Sequence, residues 1–326
     1  LAIGSGLSSQ FGFVAETTYG TAVTVTRFLE IQKESIKNDV GKWFSRGTKD
    51  VVNRSSRSRT YSKGAGGDIE FEVMNKGFGL LFKHMLGTGS TAQVGVTTEY
   101  KATITPDITT GMTGIMATMQ VGRPSVDATV QPFTYKGCKI TEFEFTSELD
   151  GPLMLKITID AQSETTGTAL ATASYPTDPQ SFIFIDGALT IGGVTSYVKS
   201  IKLNGKWSLD TDRRFLGAIT TKKEPIANGE LEITGELGME FEALTEYAKF
   251  VAGTQSALVL TWSFGTITGA SNPYKLVITI PVVEYTGETP TVESSEVIMQ
   301  ALPFKALYDG TLPIISIDYH TADTAL

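Results

Sequence analysis

Gly67-Asp-Ile-Glu-Phe-Glu-Val73 and Gly229-Glu-Leu-Glu-Ile-Thr234 decide how this chain is read. In the first stretch Ile69, Phe71 and Val73 fall on one face of an extended chain, and Asp68, Glu70 and Glu72 on the other. Period-two alternation marks a strand with one buried and one hydrated face. An apolar stripe at helical spacing follows each stretch. Phe78, Leu81, Phe82 and Met85 lie within Asn75–Leu86; Phe241, Leu244, Tyr247, Ala248 and Val251 lie within Glu240–Ala252. Glycine stops both stripes, and Gly87-Thr88 and Gly253-Thr254 close the units. The two units are offset by 162 residues at their start and 166 at their end, about half of a 326-residue chain.

The flanks extend the repeat. Ile140–Thr146 alternates, passes through Leu149-Asp-Gly-Pro-Leu153, and returns along Leu153–Ile159, which predicts a hairpin with an Asp-Gly turn. In the second half the matching pair is Tyr274–Tyr285 and Glu293–Leu307, joined through Gly287-Glu-Thr-Pro290. Trp43 follows Gly41-Lys42 as Trp207 follows Gly205-Lys206. A period of half the chain predicts tandem duplication, although two unrelated β domains would share some of this pattern. Thr165–Pro179 is small, polar and proline-punctuated, as a linker should be. The expected fold is all-β, with one short helix per domain: two tandem duplicated β-sandwich or barrel domains. The first spans 1–165 and carries a long hairpin loop at 33–66; the linker is 166–179 and the second domain is 180–326. The 33 glycines and abundant threonine agree with a strand-and-turn chain.

Charge is distributed unevenly. The segment Lys33–Lys63 holds nine basic and three acidic residues, a local net of +6, which leaves −14 for the rest of a chain whose total is −8. A basic arm on an acidic body admits three readings: a solvated loop, phosphate contact, or contact with another copy of the chain. The third is favoured, because a 30-residue excursion carries an ordering cost that a constant partner would offset. Complementary fields on one polypeptide favour head-to-tail contacts that close rings or build stacks.

Few residues suit catalysis. Cys138 is the single cysteine, and His84 and His320 are far apart. One thiol makes no intrachain disulfide and no cysteine zinc site. Lys63-Gly-Ala-Gly-Gly67 lacks the order of a phosphate loop, and Asp210-Thr-Asp212 lacks the third carboxylate of a calcium loop. His84 reads as structural, Cys138 as a small buried hydrophobe. The carboxylates stand in stripes, at Asp68, Glu70 and Glu72, at Glu142, Glu144 and Glu148, and at Glu230, Glu232 and Glu236. Stripes of this kind suit a hydrated surface better than a catalytic pair, which needs one buried carboxyl. No cofactor, metal or catalytic residue is expected. No apolar run approaches the ~20 residues of a membrane span, and the opening Leu1–Gly6 lacks the basic and apolar regions of a secretory signal. The expected setting is a reducing cytoplasm.

Several blocks resemble a known family. Ala2–Thr21 with Thr26-Arg-Phe-Leu-Glu30, then Phe133–Thr141, Asp210–Gly217 and Lys222-Lys-Glu-Pro225, are similar in order and spacing to tail tube proteins of long-tailed phages of actinobacteria. The resemblance implies a virion tail protein, made in the host cytoplasm, with no catalytic residues. It implies sandwich or barrel domains whose inner strands join across subunits around a lumen. A duplicated chain would form trimeric rings with pseudo-sixfold symmetry. Implied partners are the chain itself, a tape-measure protein, tail-terminator and tail-tip proteins, and transiting DNA that is not specifically bound. The arm would contact the next ring through Lys37, Lys42, Arg46, Lys49, Arg54, Arg57 and Arg59. Glu70, Glu72, Glu142, Glu144, Glu230 and Glu232 are candidates for an acidic lumen face, although they suit an outer wall equally. The rival readings are the inner tube of a contractile injection machine and a β-sandwich binding or adhesion module. Trp43, Trp207 and Trp262 are not clustered in sequence, which disfavours a sugar platform.

Overall fold

The computed structural model describes residues 4–48, 50–54, 56–217, 219–287, 289–292 and 297–326. The first half contains β1 (Gln10–Ala15), β2 (Arg27–Leu29), β3 (Lys33–Glu34), β4 (Lys37–Phe44), β5 (Ser58–Glu72), α1 (Gly79–Leu86), β6 (Gly87–Gln93), β7 (Tyr100–Pro106), β8 (Ala117–Pro124), β9 (Val130–Glu148), β10 (Met154–Ala161) and β11 (Ser163–Thr165). The second contains β12 (Gly187–Ile191), β13 (Val194–Ser196), β14 (Ser200–Asp210), β15 (Ile226–Glu240), α2 (Leu244–Ala252), β16 (Ser256–Phe264), β17 (Tyr274–Tyr285), β18 (Met299–Ala306) and β19 (Ser316–Thr321). The fold is β-dominated, and the strand pairings are antiparallel. The alternation at Asp68–Val73 becomes the inner end of β5, with Ile69 and Phe71 fully buried.

Both predicted helices form, but later than their stripes begin. α1 starts at Gly79 and α2 at Leu244, and neither has a side-chain cap at its N-terminus. No side-chain oxygen fixes the first turn at the beginning of either stripe. Both glycine stops are as read: Gly87 and Gly253 have φ of 111° and 64°. β18 begins at Met299; residues 293–296 of the predicted strand, and Glu288 in its turn, lie outside the described residues.

Two sets of pairings share one strand. β9 is 19 residues long. Its first part pairs with β8 and β11, and its second with β10 and β14. Gly137, at φ 63°, lies where it passes from one set to the other. From β4 the hydrogen-bonded order runs β4–β5–β10–β9–β14–β15–β18–β17. The sheet therefore crosses from the first half to the second at β9–β14, with Glu142 opposite Lys206 and Glu148 opposite Ser200. Cross-strand packing repeats there. Gly205 lies opposite Phe143, whose ring occupies the space a Cβ would need, and Gly235 stands in the same relation to Phe304.

The halves meet again through β19, which pairs with β7. Tyr319 packs edge-on against Phe82 of α1 at 5.5 Å, and its hydroxyl donates to the Met74 carbonyl at 2.8 Å. The Trp207 indole N–H donates to the Met85 carbonyl at 2.8 Å. Residues 166–179 carry no strand or helix, yet Gln120 holds them at the Ala169 carbonyl and the Ala171 N–H. Among the described residues, no helix is long and apolar enough to cross a membrane.

Candidate interaction surfaces

The basic segment folds as an arm. β4 and β5 form a hairpin in which Asp39 faces Gly64 and Phe44 faces Ser58, with a bulge after Gly41. No residue of β4 is buried; at about 3.4 Å per residue the strand carries the chain ~27 Å. Lys37 and Lys42 lie on β4, Arg59 on β5, and Arg46, Arg54 and Arg57 in the connecting loop; all are exposed. Lys49 lies outside the described residues. Charge counting missed the arm's apolar surface. Trp43 is 52% exposed and Tyr61 63%, beside exposed Phe44, Val51 and Val52. The signal was present in Val40, Trp43, Phe44 and Tyr61, which do not alternate with the basic residues as core positions would.

The carboxylate stripes gather on one open face. β5, β10, β9, β14, β15 and β18 bring Glu70, Lys156, Glu144, Asn204, Thr234 and Lys305 into one cross-strand row. Glu72, Glu142 and Glu232 stand in the neighbouring rows; Glu230 continues β15 to the rim. Lysines interleave with the acids. Lys206 pairs with Glu142 at 2.7 Å, Lys202 with Glu144 at 2.9 Å, Lys305 with Glu232 at 3.0 Å and Lys156 with Asp68 at 3.0 Å. Two of these pairs, Lys202–Glu144 and Lys206–Glu142, join strands from different halves of the chain. Burial works against the Asp68 carboxylate, but bonds from Thr158 and Lys156 outweigh it and hold its pKa below the ordinary value. The stripe is therefore a lattice of alternating charge, not a purely acidic strip. Strand-by-strand reading could not find this, because each lysine sits on the strand next to its acid.

Beside the arm lies a filled seat. In the connection from β14 to β15, residues 211–217 and 219–225 fold back onto the first half. The Lys63 N–H donates to the Thr220 carbonyl at 2.9 Å, and an Arg214 Nη donates to the Lys63 carbonyl at 3.2 Å. The Lys222 ammonium pairs with the Asp160 carboxylate, and Gln162 Nε2 donates to the Lys222 carbonyl at 3.2 Å. Glu224 reaches Lys139, whose side chain is fully buried, at 2.8 Å, and its carboxylate accepts from the Gly114 N–H at 2.7 Å. Burial pushes the Lys139 pKa down against the pull of Glu224, and burial pushes that of Asp160 up against the pull of Lys222.

A groove of about 1170 Å³ lies where β14, β15 and β18 of the second half face the β7–β8 connection of the first, lined by Leu231, Glu232, Lys305, Ala306, Leu307 and Ile108 among others. Trp207 and Tyr308 reach it from β14 and from the end of β18, and Glu230 edges it.

Burial pushes the His84 imidazole down to about 4, with Lys83 and Lys139 adding to the shift, so it is neutral at pH 7. Burial pushes the Cys138 thiol well up. His320 Nδ1 lies 2.6 Å from Glu99, whose carboxylate also accepts from Asn272. Among the described residues no three His, Cys, Asp or Glu side chains group to hold a metal ion.

A family model described as phage tail tube protein matches residues 6–306. No curated protein matches the chain.

Proposed function

The chain belongs to the phage tail tube protein family, a family of structural tail components, and from that premise we propose that it self-assembles into stacked rings that form the tube through which phage DNA passes. The ring is a trimer with pseudo-sixfold symmetry, each chain supplying two tandem tube domains, 1–165 and 180–326. Partners within the tail are a tape-measure protein during assembly and the terminator and tip proteins at the two ends.

The observation that carries this reading is the β9–β14 junction, where the edge of one half is continued by the first hairpin strand of the other. An open edge remains at each end of the series, along β4 at one and over two residues of β17 at the other. β4 pairs with β5 alone among the described residues, and Glu284 and Tyr285 of β17 pair with β18 alone. An unpaired strand edge is a template for another chain. Joining β4 of one copy to the β17 end of the next repeats the internal junction and closes a ring. The open face of Glu70, Glu72, Glu142, Glu144 and Glu232 then lines the lumen. Its acids, paired with lysines except for Glu72, give transiting DNA little to grip. The arm, with Lys37, Lys42, Arg46, Lys49, Arg54, Arg57 and Arg59, reaches the adjacent ring.

Electron microscopy of the purified chain, with sedimentation across protein concentration, tests the reading. Rings or tubes with a central channel are expected. A chain that stays monomeric at high concentration and low salt would refute it.

A further inference from the structure

Two places on this chain have the same strand framework, and among the described residues only one is filled. In the first, β4, β5 and β10 are adjacent; in the second, β14, β15 and β18 are. Asp160 faces Gly66 in one, and Lys305 faces Thr234 in the other. Counting along the strands from these pairs, Lys63 matches Leu231, and Asp160, Ala161 and Gln162 match Lys305, Ala306 and Leu307. The first set is the seat that residues 211–225 occupy, held at Lys63, Asp160 and Gln162. The second set lines the groove of about 1170 Å³.

We propose that this groove receives the β4–β5 loop of a second copy of the chain. The inference rests on the self-assembly reading and adds where the arm goes. The occupant follows from the hairpins. The filled seat is covered by the loop of β14–β15, and the corresponding loop on the first hairpin is that of β4–β5. Its described residues take no matching seat in their own chain, since that seat already holds Thr220 and Lys222. Pairing of the hairpins starts at Asp210 opposite Ile226 and at Phe44 opposite Ser58. Thr220 and Lys222 stand six and four residues before Ile226; Val52 and Arg54 stand at the same places before Ser58.

The chemistry of the two loops differs as their seats differ. The filled seat is polar, and takes Thr220 through backbone bonds and Lys222 through Asp160. The groove replaces Lys63 by Leu231 and Gln162 by Leu307, with Ile108 and Ile314 alongside. Its occupant replaces Thr220 by Val52, which is fully exposed beside a largely exposed Val51 in the free chain. Apolar surface of this kind, on a projecting loop, gains most by burial. Lys305 stands in the place of Asp160, but Glu232 already pairs with it at 3.0 Å. Exposed Glu230 on the rim is then the acid that Arg54 meets.

Cysteine cross-linking tests the seat. Val52→Cys and Ala227→Cys change exposed side chains, on the loop and on the groove wall respectively, and the buried native Cys138 is left in place. The two variant proteins are mixed, allowed to assemble, and treated with a short bis-maleimide. A product at twice 35.1 kDa is expected from the mixture and from neither protein alone. Val51→Cys with Ile108→Cys serves as a second pair. Arg54→Glu should cut the yield about tenfold, a change of about 1.4 kcal/mol, and Glu230→Arg should restore it. Micrographs of the same samples separate the failures. Tubes without the mixed product from either pair overturn the groove assignment and leave the tube reading standing. Cross-linking of Val52→Cys protein to itself places arm against arm, and also overturns it. Absence of both tubes and product overturns both.

Discussion

Lowering the pH from 7.5 to 5 should remove about 2 kcal/mol of stability through His84 alone. The imidazole lies in the core beside the α1 stripe, and burial holds its pKa at about 4 against an ordinary 6.5. The sign follows from the order of the two values. Between pH 6.5 and 4 the unfolded chain takes up a proton that the folded chain refuses, so stability falls as pH falls. At pH 5 the unfolded imidazole is almost fully protonated and the folded one about a tenth protonated, and the free-energy difference is about 2 kcal/mol. The loss approaches ~3 kcal/mol at pH 4. His84→Leu keeps an apolar side chain of related size at the site and removes the proton. Urea unfolding, followed through the buried Trp207 and Trp262, should be run at protein concentrations where the chain sediments as a monomer. Wild type should lose about 2 kcal/mol more than the variant between pH 7.5 and 5. Every other group is common to both proteins and cancels in the comparison. Equal losses would refute the placement of a neutral imidazole in the core.

Lys139→Met strands Glu224 and should cost about 2–3 kcal/mol, below the full value for a buried pair because Glu224 keeps 23% of its side-chain exposure. Adding Glu224→Gln should recover much of that loss; a strictly additive double variant would show that the two groups are not coupled. Gly205→Val drives a side chain into the Phe143 ring and should lower the urea midpoint by the equivalent of about 1–3 kcal/mol; an unchanged midpoint would mean the ring does not lie over the glycine. Lys206→Ala removes only an exposed pair and should cost under ~1 kcal/mol, with the difference fading in high salt. Deleting Val40–Ser62 should leave the circular dichroism of the body intact and abolish stacking, whereas tubes of unchanged length would remove the arm from assembly.

How much of this was legible in the sequence depends on distance along the chain. The Asp68–Val73 alternation, the Gly87 and Gly253 stops and the β9–β10 hairpin are local patterns, and each was readable because burial on one face imposes its period on neighbouring residues. Helix starts were less legible, since a stripe carries no mark of the capping that fixes the first turn, and the stripe of α2 marks no buried face at all, with Leu244 and Val251 exposed. The arm's charge was plain, and its exposed Trp43 and Tyr61 were marked only by their failure to alternate with the basic residues. The charge lattice and the seat of 211–225 were illegible. Glu142 and Lys206 are 64 residues apart, and only the β9–β14 register brings them opposite each other.

That register has a mechanical meaning. β9 is bonded along its length, to β8 and β11 and then to β10 and β14, and so belongs to both halves of the molecule. A pull along this strand loads its backbone hydrogen bonds together, in shear, where a hairpin at a free edge would peel one bond at a time. Bending of a filament built from such subunits is therefore expected to concentrate where copies meet, with each chain behaving as a stiff segment between compliant joints.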